Sequence, residues 1–263
     1  MVTVMVTAQR IPILMYHRVG EPDHAHDIYC IHPDRFAAQM RALAGAGWCA
    51  VSIEDFDAWR RGEKSLPENS FVLTFDDGFT GVHDFAAPVL KTLDWPATVF
   101  LVAGKPGGQS DWEITTGEPM LPHPLMDATQ LRNLSTQGFS LQSHSLLHHD
   151  LTTLEAATLE QDLRDSRALI ADISGQAPTY LAYPYGRHNE AVRNTAQHTG
   201  FTLAFSVASG FNRPGESAYQ IRRLDVFGTD TPAMLLRKIR LGTNDGSLKH
   251  LMCYYLHRML PLK

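Results

Sequence analysis

The chain has little cysteine. Its three, Cys30, Cys49 and Cys253, show no CxxC spacing, which argues against both a disulfide framework and a zinc ribbon. No apolar run approaches the ~20 residues of a membrane span. No glycine-rich phosphate loop follows a strand candidate, so a nucleotide fold has little support. Basic charge is not in excess: a net charge of −5 gives no global attraction for nucleic acid or acidic lipid. The amino end, Met1 to Arg10, lacks the basic start and the apolar run of a signal peptide, so the expected location is cytoplasmic. What remains is the composition of an ordinary globular chain of 263 residues, 44% hydrophobic and 19% charged. Thirteen His is high for that length and hints at metal or acid–base chemistry. His24, His26, His83 and His123 stand in polar surroundings and read as surface residues.

Strand candidates alternate with helix candidates along nearly the whole sequence. Ile11 to His17 is a short apolar strand. Pro33 opens a helix with Phe36, Met40, Leu43 and Ala44 at helical spacing, stopped by Gly47. Ala50–Ile53 reads as a strand and Glu54–Arg61 as a helix. Phe71–Phe75 is a buried strand, followed by a helix around Asp84–Leu93 and a strand at Ala97–Val102. Residues 104–124 are rich in glycine and proline without periodicity, a long loop of the kind that often covers a site. Asp127 and Gln130 make a helix start, as do Thr152 and Glu155. Strands at Phe139–Ser143, Tyr180–Tyr183, Leu203–Val207 and Arg222–Val226 follow, with helices around Glu190–His198 and Pro232–Arg240. This order implies parallel strands with right-handed crossovers, and about seven strands favour a barrel over an open sheet. The carboxyl end, Leu251–Leu260, reads as a packed terminal helix, with weak membrane-surface contact as the other reading.

Three stretches carry chemistry. The strand Phe71–Phe75 ends in Asp76-Asp77-Gly78, and buried carboxylates need a partner or a metal. His144-Ser-Leu-Leu-His148 follows another strand, and two His at i and i+4 share one face if the segment is helical. In a barrel the strand carboxyl ends gather at one rim, where active sites sit. Asp77, His144 and His148 there would give three ligands and an open position, the pattern of catalytic zinc. Asp76 would be left to take a proton from the attacking water. Tyr180-Leu-Ala-Tyr-Pro-Tyr-Gly186 ends in a fixed turn that is either structural or able to present the Tyr185 N–H to an oxyanion.

TFDDG, then HSxxH, then PYG resembles the polysaccharide deacetylases, the NodB-homology domain of carbohydrate esterase family 4. The resemblance spans about Ile11 to Arg240, giving a deacetylase domain at 11–240 and a helical tail at 241–263. It implies a single-domain α/β fold, a distorted (β/α) barrel. It also implies Asp76 as general base, Asp77, His144 and His148 as metal ligands, and Tyr185 at the oxyanion hole. Leu14-Met-Tyr-His17 resembles the branch that deacetylates poly-N-acetylglucosamine-like exopolysaccharides, which implies His17 as the general acid. Trp112, in a loop resembling that branch's loop over the site, is expected to contact substrate, as are Tyr16, Tyr183 and Pro184. Two positions depart from the pattern. Ala182 stands where many members have an Arg that pairs with the base, so that tether is missing or comes from Arg187 or Arg223. No late Leu-x-His matches; His257 follows Tyr255 and Leu256 in the tail.

The resemblance implies a hydrolase that removes N-acetyl groups from an amino-sugar poly- or oligosaccharide. The cofactor is a divalent metal: zinc by ligand type, with cobalt or nickel suited to the same donors. The partner is an acetylated glycan, with no nucleic acid and no membrane span. The alternatives are a lipid-linked sugar or non-sugar amide as substrate, and a catalytically inactive carbohydrate-binding barrel.

Overall fold

The structure is a computed structural model that describes residues 9–24, 27–112 and 121–259, with side chains as far as residue 253. His26, the middle of the 104–124 loop and the His257 side chain lie outside the described residues.

The elements run β1 (Ile13–Tyr16), β2 (Arg18–Val19), β3 (Cys30–Ile31), α1 (Pro33–Gly45), β4 (Cys49–Ala50), α2 (Ile53–Arg60), β5 (Ser70–Phe75), α3 (Ala87–Leu93) and β6 (Ala97–Leu101). They continue with α4 (Ala128–Thr136), β7 (Phe139–Ser143), α5 (Ala156–Ser174), β8 (Tyr180–Ala182), α6 (Glu190–His198), β9 (Leu203–Phe205), β10 (Leu224–Asp225), α7 (Pro232–Leu241) and α8 (Leu248–Met259). Eight parallel strands form one curled sheet, seven of them in the order β10-β1-β5-β6-β7-β8-β9, with the short β4 paired to the start of β5. A parallel bridge from Phe205 to Ile221 sets the chain entering β10 against β9. This is the distorted (β/α) barrel expected from the strand count.

Strand alternation sorts the side chains into layers. Ile13, Val72, Phe100, Ala182 and Phe205 form one cluster inside the curl. Their neighbours Leu14, Tyr16, Leu73, Phe75, Val99 and Leu101 face outward and pack with residues of α1, α3, α4 and α7. Leu181, Tyr183 and Ala204 pack against α5 and α6. Continuing the parity past the strand ends puts His17, Asp76 and Arg223 on the inner side with Met15 and Thr74. Among the described residues no helix is long and apolar enough to cross a membrane.

Local signals account for most boundaries. Ser52 caps α2 through the Asp55 N–H, 3.0 Å, so Ile53 starts a helix where the sequence reads as the end of a strand. Asp127 and Gln130 form the full capping box of α4. The second box does not form. Thr152 sits in a short 3-10 turn with its N–H and hydroxyl on the Asp150 carboxylate, and Glu155 precedes α5 without a side-chain cap. Asp150 caps that turn only, and α5 begins after Glu155 with no side chain in the role read for Thr152.

Candidate metal centre and active cleft

The carboxyl ends of β1, β5, β7, β8 and β10 surround one cleft. Its floor carries three donors. His144 Nε2 lies 3.6 Å and His148 Nε2 3.4 Å from Asp77 Oδ1. An ion with bonds of ~2.0–2.2 Å in tetrahedral geometry sets its ligand atoms ~3.3–3.6 Å apart, so these separations fit one metal ion. Asp77 Oδ1 is buried without a hydrogen-bond partner, which a cation would satisfy. His144 donates from Nδ1 to the Ala182 carbonyl, 2.8 Å, which fixes Nε2 as the free lone pair. Burial pushes both imidazoles below their ordinary pKa, His148 strongly, with further repulsion from His144. Burial and the neighbouring Asp76 charge push the Asp77 carboxyl well up. The imidazoles are therefore neutral and ready to ligate, whereas the raised Asp77 carboxyl would release its proton to solvent as a cation binds.

Backbone strain concentrates here. Five non-glycine residues among those described have positive φ: Asp77, Asp94, Ser145, His148 and Tyr185. Asp94 ends α3 as a left-handed cap; Asp77, His148 and Tyr185 line the cleft and Ser145 lies in the turn behind it, where strain of this kind gathers when a site over-determines its geometry. His144 and His148 are not on a helix. The i, i+4 spacing is met instead by an irregular turn with φ of 67° at Ser145 and 62° at His148. Adjacent residues of an extended strand face opposite ways, but Asp76 and Asp77 do not. The left-handed Asp77 (φ 73°) and Gly78 (φ 90°) fold the chain back so that both carboxylates line one cleft.

Asp76 is held from two strands away, on the far side of β1. Arg223, fully buried, donates from Nη1 to Oδ1 at 2.6 Å and from Nη2 to Oδ2 at 2.8 Å. Its Nε donates to the Ser206 carbonyl, 3.1 Å, and its guanidinium lies over the Phe100 ring. Burial alone would raise Asp76. The Arg223 charge and hydrogen bonds, with His144 and His17, outweigh it and hold the carboxyl at about 2. The tether absent at Ala182 thus comes from Arg223, just ahead of β10, while Arg187 pairs with Asp150, 2.7 Å. His17 lines the cleft, its ring 4.7 Å from that of Tyr29 and its Nδ1 buried without a partner. Burial lowers it to about 4 against the upward pull of Asp76.

The third turn carries Tyr185 at φ 59°. Its ring packs 4.6 Å from that of His148, whose own ring lies 4.7 Å from Trp112. Gly186 has φ 66°, and a Cβ there would stand 2.3 Å from Val207 Cγ2, so only glycine fits.

A family model for polysaccharide deacetylase matches residues 63–204, more than half of the chain. The protein belongs to the polysaccharide deacetylase family. A poly-beta-1,6-N-acetyl-D-glucosamine N-deacetylase of Staphylococcus aureus is 22% identical over 226 residues, covering 80% of this chain and 77% of that one. Among solved structures, the Streptococcus pyogenes deacetylase PplD, in complex with acetate, superposes with a TM-score of 0.76 at 23% identity, over 89% of this chain and 99% of that one. IcaB from Ammonifex degensii gives 0.72 at 26% identity, over 84% and 93%.

Not every residue that the family likeness put forward reaches the deacetylase cleft. Tyr16 does not. It is fully buried on the outer face of β1, packed on Phe36 and Phe75 and donating to Gln39 Oε1 at 2.7 Å. Strand parity sends it away from its neighbour His17. Pro184 is buried behind the turn and is not part of the cleft wall, whereas Tyr183 and Trp112 are. Asp225, not singled out from the sequence, also lines the wall. Burial raises it to about 6, with Arg223 and Lys238 opposing. Its register partner across the sheet is Met15, two residues before His17, a juxtaposition no local motif signals.

Proposed function

We propose that the protein is a metal-dependent N-deacetylase that hydrolyses acetamido groups on an amino-sugar poly- or oligosaccharide. One observation carries the proposal: a three-donor cage of metal-ligand spacing stands beside a carboxylate that a buried arginine keeps ionised. The name of the Staphylococcus aureus relative supports the substrate class.

Asp77, His144 and His148 would hold the ion, and zinc is the proposed one; cobalt or nickel suits the same donors. When bound, it would polarise the acetyl carbonyl and lower the pKa of the attacking water. Asp76 then accepts the water proton. A carboxyl held at about 2 is ionised at neutral pH, and Arg223 fixes both of its oxygens. The Tyr185 turn is assigned to the oxyanion. His17 is assigned to the leaving nitrogen. Its proton affinity must rise as negative charge builds in the cleft, and Asp76 already pulls it that way. Water and amide give acetic acid and free amine, with one proton taken from water by Asp76 and one given to the nitrogen by His17; the acid then ionises to acetate, releasing its proton to solvent or to the amine. Residues 11–240 are proposed as the functional unit, with 241–263 as an appended tail.

Arg223 removes the main support for an inactive barrel, because the charge pair missing at Ala182 is rebuilt. Acetate release across defined N-acetylated oligosaccharides and lipid-linked sugars tests the reading and separates the substrate classes. Asp76→Asn should lower the rate by ~10²–10⁴-fold; a variant as fast as wild type refutes the base assignment.

A further inference from the structure

The inner stripe of α5 is Leu159, Asp162, Leu163, Ser166 and Ile170. Asp162 stands where the 3.6-residue repeat calls for an apolar side chain, and it is 5% exposed. A carboxylate in such a place requires a compensating partner. It accepts a hydrogen bond from the Leu146 N–H, 3.0 Å. Leu146 lies midway between the two histidines of the metal cage.

The loop it belongs to is held from two sides. From the β6 end, the Ala103 and Gly104 amides donate to the Ser145 and Leu146 carbonyls at 3.0 and 2.8 Å. From α5, Asp162 takes the Leu146 N–H, and Ser166 Oγ lies 2.9 Å from Ser143 Oγ. Both polar main-chain groups of Leu146 are therefore fixed, its carbonyl by the sheet and its amide by the helix. Within the loop Ser145 Oγ accepts from the His148 N–H, 2.9 Å. Left-handed backbone at Ser145 and His148 is disfavoured for residues with a Cβ, so this turn persists only while such contacts hold it.

We propose that Asp162 is a positioning residue of the metal centre. Its carboxylate pins the Leu146 amide and thereby keeps the strained turn that aims His144 and His148 at one point. The inference rests on the metal-dependent reading above and adds to it a residue on α5 that touches neither ion nor substrate. The property required is an acceptor oxygen, so Asp162→Asn should retain it, while Asp162→Leu removes it and completes the apolar stripe.

The test is zinc affinity, measured by competition with a chelating dye, together with thermal unfolding of the metal-free protein. Asp162→Leu should melt at or above wild type without metal, yet bind zinc ~10–100-fold more weakly. Asp162→Asn should stay within ~3-fold of wild type, as expected of a retained outer-sphere acceptor. Zinc binding by Asp162→Leu as tight as wild type overturns the proposal. So does a loss of affinity in Asp162→Leu and Asp162→Ala that only tracks a lowered metal-free melting temperature and is not rescued by Asp162→Asn. A wild-type protein that takes up no stoichiometric divalent ion overturns the metal-dependent reading itself, and this inference with it.

Discussion

Replacing Arg223 by Met tests whether the charge pair it makes with Asp76, two strands away, governs the cleft. Arg223 and the Asp76 side chain are 0% and 3% exposed and joined by two hydrogen bonds. Removing one partner of such a pair leaves a buried charge uncompensated, at ~3–5 kcal/mol. The pKa gives a partial check. Asp76 sits at about 2 against an ordinary 3.8, and ~1.4 kcal/mol per unit makes that difference ~2 kcal/mol. Desolvation, no longer opposed, supplies the rest. The sign follows from linkage. Asp76 has a depressed folded pKa, so the pair's contribution is present above pH ~4 and fades as pH falls toward ~2. Urea unfolding should therefore show Arg223→Met destabilised by ~3–5 kcal/mol at pH 7, with the gap to wild type narrowing in acid. Adding Asp76→Asn removes the stranded charge and should restore most of the lost stability without restoring acetate release. The reasoning fails if the single variant loses less than ~1 kcal/mol at pH 7, or if the double variant is no more stable than the single.

The metal cage makes a second expectation. Because Asp77 is pushed up by burial and by Asp76, cation binding should release a proton and tighten as pH rises; calorimetry in buffers of different ionisation heat reads this directly. A chelator should lower the melting temperature, zinc should restore it, and His148→Ala should abolish the restoration. His17 makes a third. Its folded pKa of about 4 lies below the ordinary 6.5, so the unfolded chain takes the proton first. Stability is then fully present above pH ~6.5 and lost as pH falls toward ~4, by ~1–3 kcal/mol once the ring's access to cleft water is allowed for. His17→Gln should flatten that part of the stability–pH curve; an unchanged slope would contradict the burial argument.

The three contiguous motifs were legible because each sits at one strand end and keeps its residues within a few positions. Each follows directly on the carboxyl end of a strand, which is enough to bring Asp76, Asp77, His144 and His148 to one rim. Reading failed where geometry is set by something outside the motif. An i, i+4 histidine pair is compatible with a helix, but here the helix is replaced by two left-handed residues tied to β6 and α5, contacts no local window contains. Tyr16 was misplaced by one residue of parity: on a strand, the neighbour of an inward histidine must face the helices. Arg223 lies 147 residues from Asp76 and was only one of two candidates until the curl of the sheet brought β10 beside β1. That last case has a general consequence. The cleft requires a fixed cation against an inward carboxylate, and any inward position whose side chain is long enough to reach the rim can supply it. Ala182 faces inward at the end of β8, and Arg223 faces inward just ahead of β10, level with Ile13, and reaches up to Asp76. An alanine at the usual site is therefore no sign of a dead barrel; what matters is whether some other inward position carries a guanidinium that reaches the base.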